Sequence, residues 1–288
     1  VKGNRVLSEK NDVVLEWNNG KGLIFKKTIK LDKKYLFKIK QEVKNNTSSK
    51  INLYPYSQIT RNKKPDDIMG FYILHEGFIG VFDGELKEDD YDDIKDKKIV
   101  RNSDNGWLGI TDKYWVTAIV PPKDKNFKST FLYKDNFRAN YILNSPVSIN
   151  PKSSSENEVR LFVAAKEVET VDGYAESESI EKFDLTIDWG WFYFFTKPLF
   201  FVIDYLFKLS GNFGIAIVLI TLAIRIIFFP LANYSFRSMA KMKVLQPEMV
   251  RLKELHKEDK MKLQQEMMAL YKREKVNPVS GCLPILIQ

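Results

Sequence analysis

From Val13 to Ala165, apolar and β-branched residues come in short runs with partial alternation, separated by turn signals, and no helical period persists. Val13–Trp17 ends at Asn18-Asn19-Gly20. Leu23–Leu31 and Tyr35–Val43 follow, the latter reading YLFKIKQEV before the turn cluster Asn45–Ser49. Ile51–Ile59, Phe71–Phe82, Gly106–Val120, Ser129–Leu143 and Val159–Ala165 complete the series. This spacing predicts a large antiparallel β-sandwich over residues 1–182. The stretch Val168–Ile180 fits either a helix or a linker.

Beyond residue 182 the pattern changes. Asp188–Ser210 carries ten aromatics, and its Lys197, Asp204 and Lys208 are hard to bury together in lipid. With Pro198 suited to a first helical turn and Gly211 to a helix end, about 198–209 reads as an interfacial helix lying flat. Residues 183–211 are therefore expected to be an interfacial helix and linker. Phe213–Leu231, FGIAIVLITLAIRIIFFPL, has Arg225 as its only charge. At ~1.5 Å per residue this run spans roughly 28 Å, about the hydrocarbon thickness of a bilayer. Its Leu, Ile, Val and Phe residues contribute about −4 to −8 kcal/mol to insertion, against about +2.5 to +3.5 for a mid-helix arginine. Residues 212–233 are predicted to span the membrane, with Pro230 kinking or ending the helix.

Residues 234–276 then show one apolar stripe at Met239, Met242, Leu245, Met249, Leu252 and Leu255 and a shorter one at Leu263, Met267 and Leu270. The polar segment His256–Lys260 lies between them. This predicts a hairpin of two antiparallel helices. Residues 277–288, ending GCLPILIQ, read as the opening of a further spanning helix. No signal peptide is visible at the start, and both ends look like cuts in a longer membrane protein.

Charge sharpens this division. The net +8 splits into +1 over residues 1–190 and +7 over the rest. Basic residues directly after a span mark the cytoplasmic side. Residues 234–276 are thus expected in the cytoplasm and 1–211 outside. The single cysteine, Cys282, excludes an intrachain disulfide.

Little else points to chemistry. Glu85–Asp96 lacks the glycine and the closing glutamate of an EF-hand, so a solvated loop is expected. The aromatic stretch Trp107–Trp115 reads as a core strand. His75 stands alone in the first domain, and no nucleophile–base pair or Gly-rich phosphate loop stands out. No enzyme, cofactor or metal site is expected. The candidate site is Arg225 with Thr221 one turn earlier on the same face. The plainer reading of Arg225 is snorkelling to the nearer interface, against which stands the tilt of helical side chains toward the helix N-terminus. The preferred reading is a charge facing a polar, water-filled cavity, where it attracts polar or acidic parts of a client. For Met239, Met242, Met249, Met267 and Met268 ordinary seam packing is the favoured reading, with an adaptable apolar surface for clients or lipid as the functional alternative. The basic face suits anionic lipid or a ribosome.

The segments GNFGIAIVLITLAIRIIFFPLANYSFRSMAKMKVLQPEMVRLKE, QQEMMALYKREKVNPVSGCLPILIQ and WGWFYFFTKPLF, with GWLGITDKYWVTAIVPP more weakly, resemble the YidC/Oxa/Alb superfamily of membrane protein insertases. The resemblance implies a bacterial inner-membrane protein with a periplasmic β-supersandwich akin to sugar-mutarotase folds. It also implies a five-helix core around a hydrophilic groove, a groove arginine at Arg225 and a cytoplasmic hairpin at Tyr234–Val276. The first spanning helix and those after the third begins are absent here, so this stretch alone is not expected to insert proteins. The implied function is ATP-independent insertion and chaperoning of nascent membrane proteins, with or without the Sec translocon. No small-molecule substrate or specific nucleic acid is expected. The alternative is a membrane-anchored receptor with an extracytoplasmic ligand-binding β domain.

Overall fold

The computed structural model describes residues 1–66, 68, 74–257 and 259–274. The expected span opening at 277–288 and the early part of the Phe71–Phe82 run lie outside these described residues. The chain divides into two compact units, Val1–Phe192 and Tyr193–Gln288.

The first unit runs β1 (Val13–Asn18), β2 (Leu23–Leu31), β3 (Leu36–Asn45), β4 (Ile51–Leu53), β5 (Tyr56–Arg61), β6 (Gly77–Phe82) and β7 (Glu85–Asp90). It continues through α1 (Tyr91–Asp96), β8 (Ile99–Ser103), β9 (Gly106–Thr111), β10 (Trp115–Val120), β11 (Phe127–Lys134) and β12 (Asn136–Leu143). β13 (Val147–Ile149), β14 (Ser153–Ala165), α2 (Val168–Ser177) and a short 3-10 turn at Phe183–Thr186 close it. Among the described residues the strands form an eight-stranded sheet, β1-β2-β3-β14-β10-β9-β6-β7, a four-stranded sheet, β5-β12-β11-β8, and a two-stranded pair, β13-β4. This is the antiparallel β-sandwich that the strand spacing predicts.

Local chemistry sets the turns. Asn19 Oδ1 accepts hydrogen bonds from the amides of Lys21 (2.8 Å) and Leu23 (3.0 Å), closing the β1–β2 hairpin. Asp32 Oδ1 does the same for Lys34 and Leu36 between β2 and β3, at 2.9 Å each. Pro55 separates β4 from β5, which join different sheets, so the expected single strand Ile51–Ile59 is two. Gly106–Val120 and Ser129–Leu143 likewise resolve into the hairpins β9–β10 and β11–β12.

The eight-stranded sheet has a core on each face. Alternation sends Phe78, Phe82, Leu108 and Ile110 to one side, against Phe127, Phe131, Phe137 and Tyr141 of the four-stranded sheet. It sends Ile79, Val81, Trp107 and Phe162 to the other, against Val171 and Tyr174 of α2 and against Phe183. Two covered faces explain why every residue of β6 and β9 is buried and neither strand shows a polar face. Trp107 meets Phe183 edge-on at 5.5 Å, and its indole donates to the Glu181 carbonyl (3.1 Å). Trp115, at the far end of the expected aromatic core strand, is instead 61% exposed. The Tyr174 hydroxyl donates to Asp32 (2.6 Å), and burial with this acceptor holds its pKa above the usual phenol range. Gly106 has φ +133, and a Cβ there would lie 1.9 Å from the Val81 carbonyl oxygen, so the tight approach of β9 to β6 requires glycine.

The expected solvated loop at Glu85–Asp96 is a strand followed by a helical turn. Tyr91 and Ile94, each 1% exposed, enter the first core. Asp89 receives both guanidinium nitrogens of Arg101 at 2.7 and 2.8 Å, and Arg101 lies over the rings of Phe82 and Phe131. Acidic composition hid two apolar anchors three residues apart on one turn of helix.

Phe131, fully buried and 4.9 Å from the Phe78 ring, sits at the centre of this core. Phe131→Ala is expected to destabilise the β domain by about 3–5 kcal/mol, read as a fall in the urea midpoint.

Candidate functional site

The second unit contains α3 (Tyr193–Ser210), α4 (Phe213–Leu255) and α5 (Lys260–Arg273). Aromatic side chains stay exposed along α3 and just before it, from Trp191 and Phe194 to Tyr205 and Phe207. Lys208 pairs with Asp204 one turn back at 2.8 Å, and the Lys197 ammonium lies 5.7 Å from the Tyr193 ring centre. Two of the charges that resist burial in lipid are therefore paired. The helix begins five residues earlier than its proline suggests, so Pro198 lies inside it. A proline there withholds one N–H from the ladder without stopping it.

Two residues join α3 to α4. Gly211, at φ +66, takes the left-handed conformation that ends a helix, and its amide donates to the Phe207 carbonyl (2.8 Å). Asn212 then caps α4, its side-chain oxygen accepting from the amides of Gly214 (2.8 Å) and Ile215 (3.3 Å). Ring contact between Phe207 and Phe213, centres 6.0 Å apart, spans the joint.

Among the described residues, α4 is the one helix long and apolar enough to cross a membrane. Ile226, Ile227 and Phe229 are 65%, 71% and 65% exposed, which suits lipid and not water. Arg225 and Thr221 lie one turn apart and both are exposed. The Thr221 hydroxyl donates to the Ile217 carbonyl (2.7 Å), leaving its oxygen as an acceptor. Among the described residues no carboxylate pairs with Arg225. Pro230 does not end the helix: α4 continues through Pro230 and Pro247 to Leu255. The spanning segment and the first hairpin arm are thus one helix, because each proline removes a single bond from a long ladder of helix-favouring residues.

The arms turn at His256–Asp259, where Asp259 caps α5 by accepting from the Lys262 amide (3.0 Å). They run antiparallel. Arg273 pairs with Glu248 at 2.9 Å, and the Tyr271 hydroxyl approaches the Met249 sulfur at 3.9 Å. Hydrogen bonding to Glu274, with Glu248 nearby, raises the Arg273 pKa further. Leu270 is buried, and Met242, Leu245, Met249, Leu252, Leu263 and Met267 are half-buried. Met239 and Met268 stay exposed, at 39% and 54%. Sequence periodicity missed Tyr271 and the Glu248–Arg273 pair, because cross-arm partners depend on where the turn sets the register.

The β unit offers a cleft of about 270 Å³ between β2, β3 and β14 on one side and β4, β5 and β13 on the other. Phe25, Val43, Leu53, Tyr54 and Ile149 make most of its wall apolar, while its rim carboxylates Glu42 and Glu156 are paired with Lys26 and Lys40. Among the described residues no three His, Cys, Asp or Glu side chains converge as a metal site.

Residues 1–202 match the family model of the YidC periplasmic domain, and residues 205–288 match that of the 60Kd inner membrane protein. Curated relatives include the membrane protein insertase YidC of Pelagibacter ubique, 58% identical over 288 residues and covering 100% of this chain and 51% of the relative. That of Brucella suis is 45% identical over 295 residues, covering 100% and 48%. The chain spans about half the length of the curated relatives it matches. A galactose mutarotase related enzyme from Lactobacillus acidophilus overlaps 53% of this chain and 67% of its own, with TM-score 0.38 and 10% identity, too slight a likeness to bear on chemistry.

Asn212→Ala should cost the start of α4 about 1 kcal/mol. The expected sign is faster hydrogen exchange of the Gly214 and Ile215 amides, with the α4–α5 hairpin unaffected.

Proposed function

The chain belongs to the YidC family of inner-membrane insertases, and from that premise we propose that it forms the periplasmic domain and the arginine-bearing part of an insertase and chaperone for nascent membrane proteins. The observation that carries this reading is the position of Arg225 and Thr221, one turn apart on the otherwise apolar, largely exposed stretch Phe213–Leu231 of α4. In the intact protein these two would line a hydrophilic groove completed by other spanning helices. A client's polar, extracytoplasmic segment would enter that groove and so cross less hydrocarbon.

The physical gain is a lower desolvation barrier. An isolated charge in mid-bilayer costs about 2.5–3.5 kcal/mol on insertion scales and more in simulations. A guanidinium already held in a wet recess offers a counter-charge and five donors along that path. The client's apolar segment can meanwhile move sideways into lipid. No covalent step is required.

The hairpin has a separate role. Eleven basic residues against six acidic ones over residues 234–276 suit anionic headgroups on the cytoplasmic face, and a ribosome would meet the same charge. Of the five candidate methionines, Met239 and Met268 stay exposed on the arms and can touch a client or lipid; Met242, Met249 and Met267 serve mainly the seam. Work with or without the Sec translocon is compatible with a groove that acts by lowering a local barrier.

Arg225→Ala in the intact protein should slow insertion of clients with acidic translocated tails about tenfold, the equivalent of one modest charge interaction. Clients with short neutral tails should be nearly unaffected, and Arg225→Lys should retain most activity. Protease protection of translocated tails in proteoliposomes measures all three. Normal insertion of acidic-tailed clients by the alanine variant would refute the role given to Arg225.

A further inference from the structure

The inner face of the eight-stranded sheet reaches further than the sheet that covers it. Cross-strand register sets Val13, Ile29, Ile39 and Val159 in one row, and Ile39 and Val159 belong to the first core. The next rows on the same face are Leu15, Lys27, Gln41 and Asn157, then Trp17, Phe25, Val43 and Ser155. Toward β1 this face is uncovered. Leu15 is 38% and Trp17 63% exposed, and the Trp17 ring lies 5.2 Å from that of Phe25. Where β4 and β5 come over Phe25, Val43 and Asn157, their Leu53, Tyr54 and Tyr56 make the second wall of the cleft.

The polar groups of this cleft are uncommitted. Among the described residues the Lys27 ammonium and the Gln41 carboxamide make no hydrogen bond or ion pair. The Asn157 side-chain nitrogen is buried without a hydrogen-bond partner, a costly state that an incoming acceptor would relieve. Lys27 also stands in a strongly basic stretch. Residues 21–50 hold ten lysines against Asp32 and Glu42, in a unit whose charges otherwise nearly balance. Lys26, Lys30, Lys38 and Lys40 are ion-paired, and the other six are not, among the described residues. The cleft therefore joins an apolar lining to a positive surround that attracts carboxylates.

We propose that this cleft binds an extended polypeptide segment carrying both apolar side chains and carboxylates. Its size favours a chain over a whole small molecule. At about 270 Å³ it falls below the roughly 300–1,000 Å³ of drug-sized pockets, and it suits side chains reaching in from a strand laid across it. Such a strand has a rail to follow, because Tyr56 opens β5, the edge strand of the four-stranded sheet. Apolar side chains would enter between Phe25, Val43 and Leu53. A carboxylate would meet Lys27, and main-chain carbonyls would accept from Gln41 and Asn157. The site lies wholly within the β unit and does not depend on the role given to Arg225.

The test is fluorescence anisotropy with the intact protein in phosphatidylcholine nanodiscs and a short labelled peptide that alternates aspartate with valine or phenylalanine. The peptide should bind, and binding should weaken as salt is added. Lys27→Glu, at an exposed position that leaves the urea midpoint unchanged, should lower affinity about tenfold or more. Ser155→Trp, whose indole fills the cleft, should abolish binding. Wild-type affinity in both variants would overturn the site, as would no binding by the unaltered protein. Equal affinity for a peptide with serine at the apolar positions, or with lysine at the acidic ones, would overturn the stated ligand chemistry. Binding of soluble dihexanoyl phosphatidylglycerol without binding of the peptide would overturn it in favour of an anionic headgroup. Arg225→Ala should leave peptide affinity unchanged, so failure here and failure of the insertase reading are distinguishable.

Discussion

Large apolar side chains have to be shielded from water, and the two units meet that demand with different materials. In the β unit the shield is protein. The eight-stranded sheet is covered by the four-stranded sheet on one face and by α2 and Phe183 on the other, so neighbouring residues such as Trp107 and Leu108 are both fully buried in separate cores. Each such side chain contributes about 1.5–3 kcal/mol by leaving water. In the helical unit the same kinds of residue stay bare along α4, and a bilayer is the medium that can shield them.

The same contrast governs charge. Inside the sandwich, Arg101 is held by both oxygens of Asp89 and by aromatic faces, a fully partnered cation with a structural role. On α3, Lys208 is paired with Asp204. Arg225 is different in kind, because the surface around it is apolar and its only close polar companion on the helix is Thr221. A charge left in that setting is costly without water or a counter-group, and this cost is what the proposed groove would exploit.

Between these regions the backbone is managed by small polar devices. Gly211 ends one helix and Asn212 starts the next within two residues, while Asp259 restarts the chain after the hairpin turn. Asp188 performs a related task at the end of the β unit by closing two amides with one carboxylate. At Asn212, Asp259 and Asp188 a side-chain oxygen replaces a backbone acceptor where regular structure stops.

The runs that become β1 to β6, β9 to β12 and the later part of β14, the apolar span, the turn at His256–Asp259 and the odd charge at Arg225 were legible in the chain itself, because each depends on periodicity, turn chemistry or composition within a short window; β7, β8 and β13 were not. The acidic stretch Glu85–Asp96 was not legible, since Tyr91 and Ile94 become anchors only when a distant sheet provides a core for them. Nor was the unbroken passage of α4 through Pro230 and Pro247, where a local breaker yields to the helix on either side. Pro198 marked a helix that begins five residues before it. Pairings such as Asp89 with Arg101, Glu248 with Arg273 and Asp188 with His75 were decided by tertiary structure alone. The physical reason is range: hydrophobic pattern and capping act between near neighbours in the chain, whereas a partner across a sheet or a hairpin is chosen by register, which exists only once the chain has folded.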